Sequence, residues 1–186
     1  MPPKNKFTRE EITDASLAVV RRDGIGALTA RAVAEELQSS TKVIFGLFRN
    51  MEELESEVVK AAYDRYFRFL REDAEKGEYP PYKAVGMAYI RFAGEEKELF
   101  RLLFMHGGRP DGTFGEDTEF AVQMIMKANG FTREQAELLH LEMWVCVHGI
   151  AVLTADSFMK IDRETAGRIL TDVYQGVRKR MQEEGQ

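Results

Sequence analysis

Ser40, Thr41 and Lys42 stand just ahead of an apolar pair, Ile44 and Phe48, spaced four apart. On one short helix that spacing turns Ile44 and Phe48 to a buried face. It leaves two hydroxyls and an ammonium at the N-terminal end, where donors and the helix dipole both suit the approach of an anion such as DNA phosphate. A second group lies far along the chain: His140, Trp144, Cys146 and His148. Two histidines eight apart are more than two helical turns apart, so one helix does not easily bring both to one metal, although other helices could add ligands. Cys146, between Val145 and Val147, reads as an inert core thiol, with redox or electrophile sensing as the lesser alternative. The chain holds no Gly-rich phosphate loop, no Cys-x-x-Cys, no His-Glu-x-x-His and no serine in a nucleophile-elbow setting. Gly107-Gly108-Arg109-Pro110-Asp111-Gly112 reads as a connection rather than an anion cradle. The expectation is a protein that is not an enzyme, with no catalytic residue, no metal and no cofactor.

The elements that must position these groups are helices. Thr8 and Glu11 have capping-box spacing, with Phe7 and Ile12 at the staple positions, so a helix is predicted from there to about Asp23, where Gly24 and Gly26 stop it. Thr29 opens a short second helix with Val33, Ala34 and Leu37 on one stripe; Gln38-Ser39 breaks it before a third helix near Ser40. Asn50 caps a long fourth helix, about 51–76, acidic at its start and ended by Gly77 and Pro80-Pro81. Further helices are predicted at about 82–93, 96–106, 116–128, 132–154 with Thr132 as cap, and 162–183 with Asp162 as cap. With no alternating strand pattern and no repeat, the fold class is all-α.

The 186 residues are 44% hydrophobic and 31% charged, which is enough apolar matter for a buried core and excludes disorder. The lone Cys146 cannot form an intrachain disulfide, residues 1–20 lack a signal-like apolar core, and the apolar stretch Met143–Ala155 is short for a bilayer. These features lead to the expectation of a cytoplasmic protein with no membrane span. The net charge of −5 conceals an asymmetry: residues 1–49 carry eight basic side chains against six acidic ones, and the remainder 18 against 25. Only the N-terminal quarter suits an anionic partner.

Three short helices, two of them joined by a four-residue break, have the proportions of a helix-turn-helix DNA reader, and equally of an ordinary three-helix packing unit. Asp23-Gly24, then Leu28 through Leu37, Ser40-Thr41, and Ile44-Phe45-Gly46-Leu47-Phe48-Arg49-Asn50-Met51-Glu52-Glu53-Leu54 resemble the N-terminal domain of the tetracycline-repressor (TetR) family of transcriptional regulators. Phe92 with Glu98-Leu99-Phe100-Arg101-Leu102-Leu103-Phe104, and later Trp144-Val145-Cys146-Val147-His148-Gly149, resemble a subgroup with a C-terminal Trp-x-x-x-His-Gly signature. The resemblance implies a helix-turn-helix domain over 1–52, an effector-binding and dimerisation domain over 53–186, and a homodimer on a near-palindromic operator. It places Thr29 and Arg31 against phosphates and Thr41, Lys42 and Val43, next to Ser40, near base edges. Arg49 adds a backbone contact, and Lys6, with Lys4 in the same arm, further phosphate neutralisation. In the family's Leu-Tyr-x-His-Phe-x-x-Lys stretch, Phe45, Leu47 and Met51 here replace the Tyr, His and Lys. Three polar donors are lost, and an apolar contact of Phe45 and Leu47 with thymine methyls or sugar remains. The alternative is a ligand sensor or protein-interaction dimer of the same type that binds DNA weakly.

Helix 132–154 is apolar on two faces, Ala136, Leu139, Met143, Val147 and Ala151 on one and Leu138, Leu141, Val145 and Val152 on the other, so both must be covered. In the last helix Ile169, Val173 and Val177 belong to a seam beside Gly167 and Gly176. One face of each helix is expected at a subunit interface, the bland alternative being that both are core. The family further implies a cavity for a small, hydrophobic or aromatic effector. Its candidate lining is Tyr66, Phe69, Leu70, Met87, Ile90, Phe100, Leu103, Phe104, Phe120, Met124, Trp144 and His148, with His106 another polar handle. Ordinary core packing explains any one of them as well.

Overall fold

The computed structural model describes residues 6–105 and 116–184. Among them every regular element is helical: α1 Arg9–Asp23, a 3-10 turn Ile25–Ala27, α2 Ala30–Glu36, α3 Lys42–Phe45, α4 Met51–Lys76, α5 Pro81–Glu95, α6 Lys97–Phe104, α7 Glu116–Asn129, α8 Arg133–Ala155 and α9 Arg163–Glu184. The all-α class read from periodicity is the class observed. Helix starts obey local spacing. The Thr8 hydroxyl accepts from the Glu11 N–H and the Glu11 carboxylate from the Thr8 N–H, and Thr132 and Gln135 repeat this box at α8. The Asp162 carboxylate accepts from the Thr165 N–H at 2.7 Å at the start of α9.

The chain divides into two compact units, Met1–Phe67 with Glu96–Gly108, and Arg68–Glu95 with Arg109–Gln186. In unit 1, α1 packs on α2 and α6. Ile12, Val19 and Val20 of α1, Val33 of α2, Ile44 of α3 and Leu54, Val58 and Ala62 of α4 are all fully buried. The four-residue spacing of the last three makes one stripe along α4. Leu99 and Phe100 of α6 complete this core. Burying a side chain of this size stabilises the fold by about 1.5–3 kcal/mol.

In unit 2, α8 packs on α5, α7 and α9. Gly86 of α5 lets the helices approach: a Cβ there would meet Val147 Cγ2 at 3.2 Å and Leu170 Cδ1 at 3.3 Å. By length and composition alone the whole of α8 is long and apolar enough to cross a membrane, whereas Met143–Ala155 by itself is too short. In this fold its Ala136, Leu139, Met143, Ile150 and Ala151 are buried against the other helices of the unit.

Candidate nucleic-acid interface

The turn between α2 and α3 is built by backbone bonds. Leu37 caps α2, and Gln38 takes a positive φ of 48°. The Ser39 N–H donates to the Ala34 carbonyl at 2.8 Å and the Gln38 N–H to the Glu35 carbonyl at 3.0 Å. This pair is the Schellman arrangement, which satisfies the last carbonyls of α2 and redirects the chain within a few residues.

Beyond the turn, α3 is short. Only Lys42–Phe45 carries full α-helical character, although the Gly46 N–H reaches the Lys42 carbonyl at 3.0 Å and the Phe48 N–H the Ile44 carbonyl at 2.8 Å. Ile44 and Phe48 are buried inside unit 1. On the outside, Ser40, Thr41 and Lys42 are exposed, Phe45 is 50% exposed, and Val43 and Leu47 are half-buried. Thr41 makes no side-chain cap bond. The Thr29 hydroxyl, by contrast, accepts from the Ala32 N–H at 3.1 Å and so caps α2. Arg31 and Arg49 expose 88% of their side chains beside Glu35 and Glu53 respectively. Lys6 is exposed, its ammonium 5.1 Å from the Phe7 ring centre, while Lys4 lies outside the described residues.

Asn50 caps α4 by accepting from the Glu53 N–H at 2.9 Å. The Glu53 carboxylate does not return to Asn50; it accepts from the Arg49 N–H at 2.7 Å. That backbone bond, then the Arg49 and Arg9 side chains, hold the carboxyl at a pKa of about 2.

Behind this surface lies a charged centre that sequence spacing did not announce. Glu96, 5% exposed, accepts from Arg21 of α1 through Nε and Nη2, both at 2.6 Å, and from Arg65 of α4 through Nε at 2.7 Å and also Nη2. Burial alone would raise the Glu96 pKa, but the two guanidinium groups hold it below the usual carboxylate value. The partners stand 75 and 31 residues away.

The candidate effector-binding residues fall into separate groups. In unit 1, Tyr66 and Phe104 meet edge to face at 5.2 Å, and Phe100 lies 5.6 Å from Phe104; Leu103 is buried in the same unit. In unit 2, Phe69, Met87 and Ile90 are buried, Leu70 and Met124 are half-buried, and Phe120 is 65% exposed. Trp144 stacks on the His148 ring at 4.8 Å, and His148 Nδ1 shares a hydrogen bond with the buried Tyr89 hydroxyl at 2.9 Å. His106 and the glycine-rich connection at 107–112 lie outside the described residues. Of the candidate dimer residues, Leu138, Leu141 and Val145 are 47%, 42% and 60% exposed, whereas Val152, Ile169, Val173 and Val177 are half-buried. Burial raises the Cys146 thiol pKa, which disfavours a reactive thiolate. No cluster of three or more metal-binding side chains occurs among the described residues.

A family model described as "Tetracyclin repressor-like, C-terminal domain" matches residues 82–174. The chain belongs to the tetracyclin repressor-like family. A comparison with curated proteins gives no match. Among solved structures, the chain is similar to a protein of unknown function from Rhodococcus sp. RHA1, with TM-score 0.74, 19% identity, and 95% of this chain and 98% of that one covered. It is likewise similar to a TetR-family member from Streptomyces coelicolor A3, with TM-score 0.63, 20% identity and coverage of 92% and 98%. The multidrug binding protein EbrR complexed with imidazole aligns at TM-score 0.60, 20% identity and coverage of 89% and 88%. At these identities the neighbours establish the fold alone.

The matched segment of this tetracyclin repressor-like chain carries two phenol–imidazole pairs, both joining α5 to α8. Tyr82 shares a hydrogen bond with His140 Nδ1 at 3.0 Å, about two helical turns from the pair formed by Tyr89 and His148. Burial lowers the pKa of both imidazoles and raises that of the Tyr82 phenol. These neutral pairs satisfy polar tips inside an otherwise apolar helix packing.

Proposed function

We propose that this protein is a ligand-responsive transcriptional regulator, a repressor that binds a near-palindromic operator as a homodimer in the cytoplasm. One observation carries the reading. A three-helix unit buries Ile44 and Phe48 while leaving Thr41 and Lys42 exposed at the start of α3, flanked by the exposed cations Arg31 and Arg49. In this reading Arg31, Arg49 and Lys6 neutralise phosphates, and Thr41, Lys42, Val43 and Phe45 face base edges. The apolar stripe Leu138, Leu141 and Val145 of α8, with Val173 and Val177 of α9, supplies the subunit contact, since a helix apolar on two sides needs a second cover. The effector is a small hydrophobic or aromatic molecule, consistent with the aromatic character of the Trp144–His148 region and with a neighbour described as multidrug binding. An effector preferring one arrangement by about 1–3 kcal/mol would change operator occupancy roughly 5- to 150-fold. No part of the reading requires an enzyme.

The test is a titration of the full chain against the DNA flanking its own gene at two salt concentrations, beside a Thr41→Ala, Lys42→Ala double variant. A specific, salt-sensitive complex that the double variant loses is the expected result; wild-type binding no tighter than to random DNA overturns it. That second outcome favours a sensor or protein-interaction dimer of the same fold, which the half-exposed Phe45 and the apolar Leu47 and Met51 would suit.

A further inference from the structure

α3 is too short to hold its own direction, because four residues of full helical character form little more than the costly nucleus of a helix. The segment that follows it, Leu47–Arg49, is instead gripped from two other helices. The Arg9 guanidinium at the start of α1 donates through Nη1 to the Leu47 carbonyl, lies 4.1 Å from the centre of the buried Phe48 ring, and donates through Nη2 to Glu53 Oε1 at 3.0 Å. The other oxygen of the same carboxylate, Oε2, accepts from the Arg49 N–H at 2.7 Å and from Arg49 Nε at 3.1 Å. One guanidinium and one carboxylate therefore fix three consecutive residues. They also leave the outer edge of the Arg49 guanidinium turned to solvent, where its side chain is 88% exposed.

We infer that Arg9 and Glu53 are positioning residues for DNA recognition: they set the exit angle of α3 and aim Arg49, without themselves contacting the duplex. This rests on the reading of the three-helix unit as a DNA reader. Arg9 uses two N–H groups and the planar face of its guanidinium for these contacts, and a lysine ammonium cannot reproduce that planar fork. Glu53 places a negative charge beside the DNA-facing surface, so its retention there opposes phosphate binding on charge alone.

The two residues can be tested by opposite signs. Wild type, Arg9→Lys and Glu53→Gln are titrated against the gene-flanking duplex and a random duplex of equal length, each at two salt concentrations. Arg9→Lys keeps the charge, so a phosphate-contacting role predicts unchanged binding. The positioning role predicts a loss of about tenfold or more for the flanking duplex and a smaller loss, through the misdirected Arg49, for the random one. Glu53→Gln removes the repelling charge; the positioning role predicts weaker binding to the flanking duplex together with equal or tighter binding to the random one. A merely structural role would lower the melting temperature without changing the ratio of the two affinities. Arg9→Lys binding both duplexes like wild type, or Glu53→Gln tightening both equally, overturns the inference while the DNA reading stands. A wild type that does not distinguish the two duplexes overturns the DNA reading, and the inference with it.

Discussion

Each unit buries one carboxylate among the described residues, Glu96 in unit 1 and Asp73 in unit 2, and the two are held differently. Glu96 draws both guanidinium partners from distant helices, Arg21 in α1 and Arg65 in α4, and it is their one ion-pair partner among the described residues. Asp73, 4% exposed, accepts from Lys76 on its own helix at 2.6 Å and from Arg91 of α5 at 3.2 Å. Arg91 has other anchors: Glu72 at 2.9 Å, Glu95 at 3.6 Å, and the Phe69 ring at 4.1 Å. The difference is one of redundancy. Glu96 alone neutralises two cations from separate helices, whereas Asp73 is one contact among several around a cation that stays satisfied without it.

Replacement of each carboxylate is the sharpest test of that contrast. Glu96→Ala leaves Arg65, only 26% exposed, and Arg21, 40% exposed, facing each other without a counter-charge. A loss of about 2–4 kcal/mol in urea unfolding is expected, at the lower part of the range for broken buried pairs because Arg21 can reach water. Asp73→Ala should cost less, about 1–2 kcal/mol, because Lys76 can turn to solvent and Arg91 keeps Glu72. Equal losses would show that redundancy around Arg91 has no energetic meaning.

Unit 2 also joins its helices through neutral polar pairs, and removing one should cost less than removing either carboxylate. Tyr89→Phe deletes the hydroxyl bonded to His148 Nδ1 while keeping the ring in its buried place, so about 1 kcal/mol is expected from the same unfolding measurement. A cost as large as that of Glu96→Ala would mean that the phenol–imidazole pair, rather than the ion triad, is the stiffer joint.

Acid should separate the units by a smaller effect. Burial holds His140 and His148 below the ordinary imidazole value of 6.5, so as pH falls the unfolded chain takes up protons before the folded one. Their contribution is complete above about pH 6.5 and is lost as pH drops through the depressed folded values. Glu53 and Glu96 titrate in the fold below the ordinary carboxylate value of 4.5, so their contributions are complete above that pH and fade only as pH falls through the lowered folded values, about 2 for Glu53. Amide exchange compared at pH 7 and pH 5, corrected for intrinsic rates, should therefore show unit 2 opening first. Earlier opening of unit 1 would contradict the assignment.

Helix starts were legible because a cap acts over three residues: Thr8 with Glu11, Asn50 with Glu53, and Thr132 with Gln135 all sit within reach of a local pattern. The burial of Ile44 and Phe48 was legible for the same reason, as helical periodicity exposes it. The hidden part is tertiary. Nothing in the spacing of Arg21, Arg65 and Glu96 marks them as partners, since they meet only after α1, α4 and α6 have packed. Periodicity likewise identifies α6 as a helix but not as a neighbour of α1. The Asn50 cap is local, but the partners of the Glu53 carboxylate are in part tertiary: it accepts from the Arg49 N–H and from Arg9, which reaches it from α1.

The least visible feature gives the smallest expected effect. α2 and α8 end in the same backbone arrangement, one in each unit, with a residue other than glycine in the left-handed position: Gln38 at φ 48° and Ser157 at φ 55°. After α8, the Phe158 N–H donates to the Leu153 carbonyl at 3.1 Å and the Ser157 N–H to the Thr154 carbonyl at 3.1 Å, the same pair of bonds as at Ser39 and Gln38. A side chain in this conformation costs about 1 kcal/mol, and glycine removes that cost while adding freedom to the unfolded chain. Gln38→Gly and Ser157→Gly should each raise stability by only about 0.5 kcal/mol. Their functional consequences should differ, because Gln38 sits in the turn that aims α3 and Ser157 ends a helix on the other unit. With stability matched, and with α3 reading DNA as proposed, Gln38→Gly is expected to weaken binding to the gene-flanking duplex and Ser157→Gly to leave it unchanged. Equal effects on binding would show that the α2–α3 turn carries no special burden in directing α3.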